Sequence, residues 1–89
     1  MTKYTLIWED EASEDIAASW LASDDPESVT RASYRIEQQL RHDAGRCGID
    51  YWEGLRVLDS PPFHVLFYVD EGDRKVYILR AHPYDEGSG

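Results

Sequence analysis

The chain has 89 residues and 10.3 kDa, with nine Lys plus Arg against eighteen Asp plus Glu, a formal charge of −9. This length holds one small domain, whose folding removes roughly 64% of the unfolded chain's surface and leaves a core with little margin. At 42% hydrophobic and 12% aromatic the sequence is too apolar for a disordered acidic tail, and no run approaches the roughly 20 apolar residues of a membrane span.

The N-terminus MTKYTLIWEDE lacks the basic-then-apolar layout of a signal peptide, so a cytoplasmic location with no membrane partner is expected. Cys47 is the single cysteine. It can form neither an intramolecular disulfide nor a cysteine-based zinc site, and beside Arg46 it reads as an ordinary loop cysteine rather than a reactive thiol. Gly87-Ser88-Gly89 ends a tail, residues 85–89, read as disordered or as a cloning scar, and the domain is expected over residues 1–84. No metal or cofactor is expected.

Eight carboxylates and no Lys or Arg lie between Tyr4 and Thr30, whereas Arg31 to Gly89 carries eight basic against ten acidic residues. The negative field is concentrated on the first third. A sequence pI near 4.5 weighs against non-specific nucleic-acid binding, but the nearly balanced remainder leaves room for a cationic face.

Lys3 to Trp8 reads as a strand from its aromatic and β-branched content. Asp10 is a cap candidate for the segment that follows. There Ala12, Ile16 and Trp20 recur every fourth residue, Ala17 and Leu21 widen the stripe, and Glu11, Glu14 and Asp15 favour the positive end of the helix dipole. This helix should end near Ser23. Asp25-Pro26-Glu27 starts a second helix with a cap, a proline at the first helical position and an acid in the first turn. Val29, Ala32, Ser33, Ile36 and Leu40 form its buried stripe, and Trp8, Trp20 and Ile16 are assigned to the same core.

Asp43 to Glu53, with two glycines and little periodicity, reads as a loop. Leu55 to Leu58 is a short strand and Ser60-Pro61-Pro62 a turn. Phe63 to Val69 is apolar on both faces, as a central strand would be. Asp70-Glu71-Gly72-Asp73 is a hairpin turn with glycine available for positive φ, and Lys75 to His82 closes the set. The expected fold class is α+β, in the order β-α-α-β-β-β: an antiparallel sheet with a helical pair on one face.

The combination of an IW-ended strand before a helix with GLRVL, PPFHVLFYV and VYILRAHPY resembles the RelE/ParE toxin superfamily, from Lys3 to about Tyr84. The resemblance implies a microbial-RNase-like domain of a bacterial type II toxin-antitoxin system, of the plasmid-stabilisation kind, bound by a cognate antitoxin. It also implies one of two targets: RelE-like and YoeB-like members are mRNA interferases acting on the ribosome, and ParE-like members poison DNA gyrase.

Ribosome-dependent RNA cleavage needs a base for the 2′-hydroxyl, cations for the scissile phosphate and an acid for the departing oxygen. The resemblance places these catalytic roles on the open sheet face, at Arg56, Arg80, His82, Tyr84 and Glu53. Ribonuclease members commonly carry an Arg on the central strand, where alignment on Leu66 puts Val65. They also use a lysine pair, and no lysine lies between Lys3 and Lys75. Antitoxin binding with ParE-like or lost target activity is therefore the expected function, and an endoribonuclease the alternative. A further alternative is a non-toxic homodimer joined through an open face around Leu58, Leu66, Tyr68 and Leu79.

Strand parity sets a condition on the site. A two-residue turn at Glu71-Gly72 would place Arg80 and His82 on the face of Phe63, Val65 and Phe67. Only a three-residue loop or a β-bulge brings them to the face of His64.

Overall fold

The computed structural model describes residues 3–44, 48–52 and 54–84. Seven elements follow in order: β1 (Thr5–Trp8), α1 (Asp10–Ala22), α2 (Pro26–Asp43), β2 (Ile49–Trp52), β3 (Leu55–Ser60), β4 (Phe63–Asp70) and β5 (Lys75–Pro83). The sheet has the strand order β1-β5-β4-β3-β2. β1 runs parallel to β5 and every other neighbour is antiparallel, so the sheet is mixed. Cys47, Glu53 and the tail 85–89 lie outside the described residues.

The expected helical pair on one face of the sheet is present. Along β4, Phe63, Val65 and Phe67 are fully buried while His64 and Tyr68 are exposed, the period-two alternation of a strand with one covered face. Val29, Ala32, Ile36 and Leu40 of α2 meet that face together with Val76 and Ile78 of β5. They follow the i, i+3, i+4 spacing of a single stripe, and Pro26 opens α2 after the cap residue Asp25. Burial of each large aliphatic or aromatic side chain in this layer contributes about 1.5–3 kcal/mol.

Four readings of the sequence are corrected here. The segment Asp43 to Glu53 is not all loop, because Ile49–Trp52 adds a strand to the sheet edge, pairing Ile49 with Val57. The cap of α1 is Glu9, not Asp10. The β4–β5 connection is the four-residue loop 71–74, and its positive φ falls on Arg74 (55°) instead of Gly72. Finally, Trp20 and Leu21 are 45% and 77% exposed, so Ala12 is the one buried residue of α1. The α1 stripe is wider than the strip of core the helix covers.

Side chains tie the layers together at the β1 end. Trp8 Nε1 donates to Glu37 Oε2 at 2.9 Å, linking β1 to α2. Tyr4 donates its hydroxyl hydrogen to Glu71 at 3.0 Å while the Arg74 guanidinium lies 5.0 Å from the Tyr4 ring centre. Burial first, and then the Glu71 carboxylate, push the Tyr4 phenol above its ordinary pKa.

Candidate functional site at the end of the open sheet face

The decisive local feature is a bulge in β5. Phe67 pairs with Ile78, but Leu66 pairs with Arg80, which leaves Leu79 as an extra residue. The four-residue loop alone would keep Arg80 and His82 in phase with the buried phenylalanines. The extra residue reverses that phase, so that His64 faces His82 across the strands and Arg80 sits opposite Leu66.

Around this point the open face carries a compact polar cluster. The Nδ1–H of His64 donates to Asp59 Oδ1, a contact between cross-strand partners of β3 and β4. The Tyr84 ring lies over the imidazole, with centroids 4.2 Å apart and planes tilted by 30°. The backbone holds Tyr84 there, because its amide donates to the carbonyl of Pro62 at 2.8 Å. His64, His82, Val57 and Leu66 line a shallow depression of about 260 Å³. With Nδ1 donating to the carboxylate, a neutral His64 presents Nε2 as an acceptor, the arrangement of an oriented imidazole base.

Arg80 is engaged differently. Its Nε and Nη2 donate to the two oxygens of Asp15 on α1, at 2.9 and 3.0 Å, and the Ala81 amide donates to the same carboxylate at 2.9 Å. β1 pairs with β5 only as far as Ile78, so beyond it the outer edge of β5 is covered by α1, and Asp15 satisfies an edge donor there. The Arg80 hydrogen bonds, reinforced by the Ala81 amide, hold the Asp15 carboxyl below the usual carboxylate range, against the opposing effect of burial. The same pairing raises the pKa of Arg80.

Of the residues singled out from sequence, His82 and Tyr84 gather beside His64, and Arg80 joins their face by register while its guanidinium turns to α1. Arg56 does not join them. It pairs with Phe67, in phase with the helix-covered side, and donates to the carbonyl of Gly48 at 3.3 Å. Glu53 lies outside the described residues.

Val65 is fully buried in the core, so the open positions of β4 are His64, Leu66, Tyr68 and Asp70, and none of these is Lys or Arg. Leu58, expected on the open face, is 7% exposed and belongs to the core, opposite Val65. Asp15 was expected only to favour the helix dipole. Its spacing along α1 carries no sign of Arg80, which is 65 residues away in sequence. Among the described residues no group of three His, Cys, Asp or Glu is arranged to hold a metal ion.

No protein-family model and no curated protein matches the sequence. Solved structures do match in three dimensions. A chain of the chromosomal ParDE toxin-antitoxin system from P. aeruginosa superposes with a TM-score of 0.72 at 22% identity, covering 93% of this chain and 98% of that one. A chain of the RelBE2 complex from Mycobacterium tuberculosis gives 0.76 at 17% identity, with 97% of both chains covered. A chain of the archaeal RelE-RelB complex from Pyrococcus horikoshii gives 0.70 at 12%, covering 97% of this chain and 100% of that one. At these identities the shared property is the architecture: this chain has the RelE/ParE toxin fold.

Proposed function

We propose that this chain is the toxin-fold component of a type II toxin-antitoxin pair, that it binds a cognate antitoxin, and that its target activity is ParE-like, directed at gyrase, or lost. The observation that carries the reading is the near-complete superposition on chains solved within ParDE, RelBE2 and RelE-RelB systems. The local chemistry supports the choice of target. Phosphoryl-transfer catalysis on RNA needs cations aimed at the phosphate, whereas Arg80 is bound to Asp15 and β4 offers no Lys or Arg on its open side. The test is expression in a bacterial host with and without the small reading frame adjacent to this gene. Binding of the two products in a pull-down is expected; growth arrest relieved by co-expression indicates a retained target activity, and inhibition of gyrase supercoiling by the chain then identifies it as ParE-like. Absence of both binding and arrest overturns the reading.

A second reading is a ribosome-dependent mRNA interferase. What favours it is the β5 bulge, which sets His82 and Arg80 on the face of His64 and Tyr84. In that reading Arg80 leaves Asp15 for the phosphate, one of His64 and His82 takes the proton of the attacking 2′-hydroxyl while the other gives a proton to the departing 5′-oxygen, and Arg56 and Glu53 lie at the margin. Undiminished toxicity of an Arg80→Ala, Tyr84→Ala double variant eliminates it.

A further inference from the structure

His64 and His82 are direct partners in the β4–β5 register, on the open face just past the bulge. Opposed residues of neighbouring antiparallel strands hold their Cβ atoms about 4.5–5.5 Å apart on one side of the sheet. Both imidazoles are exposed, and both line the shallow depression whose apolar part is Val57 and Leu66. Their separation along the chain has no ligand spacing. Strand register supplies the proximity that the sequence does not display.

Each ring has its own surroundings. A carboxylate only accepts, so the contact with Asp59 places the His64 hydrogen on Nδ1 and leaves the Nε2 lone pair open. The Tyr84 ring, with its centroid 4.2 Å from that of His64, covers one side of the imidazole and limits its rotation. His82 makes no hydrogen bond among the described residues. Arg80 shares this face by register, but its charge is offset by two bonds to Asp15, at 2.9 and 3.0 Å.

We infer that His64 and His82 together bind a divalent transition-metal ion of the zinc, copper or nickel kind, each through one imidazole nitrogen. Two rings carried on Cβ atoms this close can converge on one ion at the usual zinc to nitrogen distance of about 2.0–2.1 Å, with water in the open positions. Two protein donors suffice for this. Asp59 is a positioning residue, because a carboxylate that accepts from the far nitrogen of a ligating histidine orients the ring and raises its basicity. Imidazole donors select these ions over magnesium and calcium, which prefer oxygen. The inference does not rest on the toxin reading. It opposes the interferase reading, since a bound ion takes the lone pairs that proton transfer needs.

The test is calorimetric titration of the untagged chain with Zn²⁺ in excess Mg²⁺, which occupies sites made of oxygen alone. One equivalent should bind. His64→Gln and His82→Gln should each weaken binding by at least about tenfold, the loss that even outer partners of a metal site cause. Asp59→Ala should weaken it about tenfold, and Asp59→Asn, which keeps an acceptor for the Nδ1–H, by less. The remaining histidine and the single cysteine are the controls. His42→Gln and Cys47→Ser should leave the affinity within about twofold. In heteronuclear NMR of the wild-type histidine rings, Zn²⁺ should shift Nε2 of His64 while Nδ1 keeps its proton.

Absence of saturable binding, unchanged affinity in His64→Gln or His82→Gln, or a comparable loss in either control overturns the inference. The wild-type spectrum decides without any variant. Zn²⁺ that moves the His42 signals and leaves those of His64 and His82 in place overturns it as well. An equal loss in Asp59→Ala and Asp59→Asn overturns the positioning role of Asp59.

Discussion

Asp15 on α1 and Arg80 on β5 meet through two parallel hydrogen bonds, and the same carboxylate also accepts the Ala81 amide at the open edge of the strand. The two partners are therefore not equivalent. Asp15→Ala leaves the amide of a fully buried residue without its acceptor, a loss of about 1–3 kcal/mol. Arg80→Ala leaves Asp15 still bonded to Ala81. Thermal unfolding should show Asp15→Ala lowering Tm by at least about 4 °C, and Arg80→Ala by less. Equal shifts would assign the stabilisation to the ion pair instead of the capped edge.

Acid should remove the same contribution. The Asp15 carboxyl titrates below its ordinary value in the folded chain because of Arg80 and Ala81. Its stabilisation is present above the unfolded carboxylate value, near 3.8, and is lost as pH falls from there through the depressed folded value. The Tm gap between wild type and Asp15→Asn should be constant from about pH 7 to 5 and shrink below about pH 4. A gap that widens in acid contradicts the stated role of the carboxylate.

Periodicity made most of the layer order legible. The α2 stripe and the alternation of β4 are legible because each is long enough for period to outweigh local noise, and the Pro26 helix start and the likeness to the RelE/ParE fold are legible too. What failed was set by packing and pairing partners that the local pattern does not encode. Ile49–Trp52 is a strand because β3 offers an edge, not because IDYW alternates. Trp20 followed the helical stripe but reached beyond the sheet. Parity stated the condition on Arg80 and His82 correctly, yet no residue type marks Leu79 as the bulge that meets it.

Gly48 illustrates a position where backbone conformation constrains the residue. It enters β2 with φ of 70°, and a Cβ there would lie 2.3 Å from the Val57 carbonyl oxygen. Gly48→Ala should therefore displace β2 from β3 and cost about 2 kcal/mol or more. Faster hydrogen exchange at the β2–β3 pairing, with β4 and β5 unchanged, is the expected signature. Wild-type protection of that pairing would show that the backbone relaxes around the added methyl group.

The Trp8 to Glu37 bond ties β1 to α2 and should behave as a hydrogen bond more than as a charge effect. Glu37→Gln keeps an acceptor for the indole N–H and should lie within about 0.5 kcal/mol of wild type. Glu37→Leu should lose about 1 kcal/mol in denaturant unfolding. Similar losses in both variants would point to the carboxylate charge.

The bulge can be tested by removing its extra residue. In the present register Ile78 pairs with Phe67 and Arg80 with Leu66, so deletion of Leu79 makes Arg80 follow Ile78 directly and leaves both pairings in an uninterrupted ladder. The deletion should fold and keep His64 opposite His82, readable as a cross-strand nuclear Overhauser effect between their α-protons. It should also weaken the Asp15 contact, because the added twist that a bulge gives its strand helps turn the Arg80 guanidinium toward α1. The effect of Asp15→Ala on Tm should accordingly be smaller in the deletion background than in wild type. A slip of one residue that places His82 in phase with Phe63 would show that the Asp70–Lys75 register set by the loop 71–74 does not hold once the extra residue is removed.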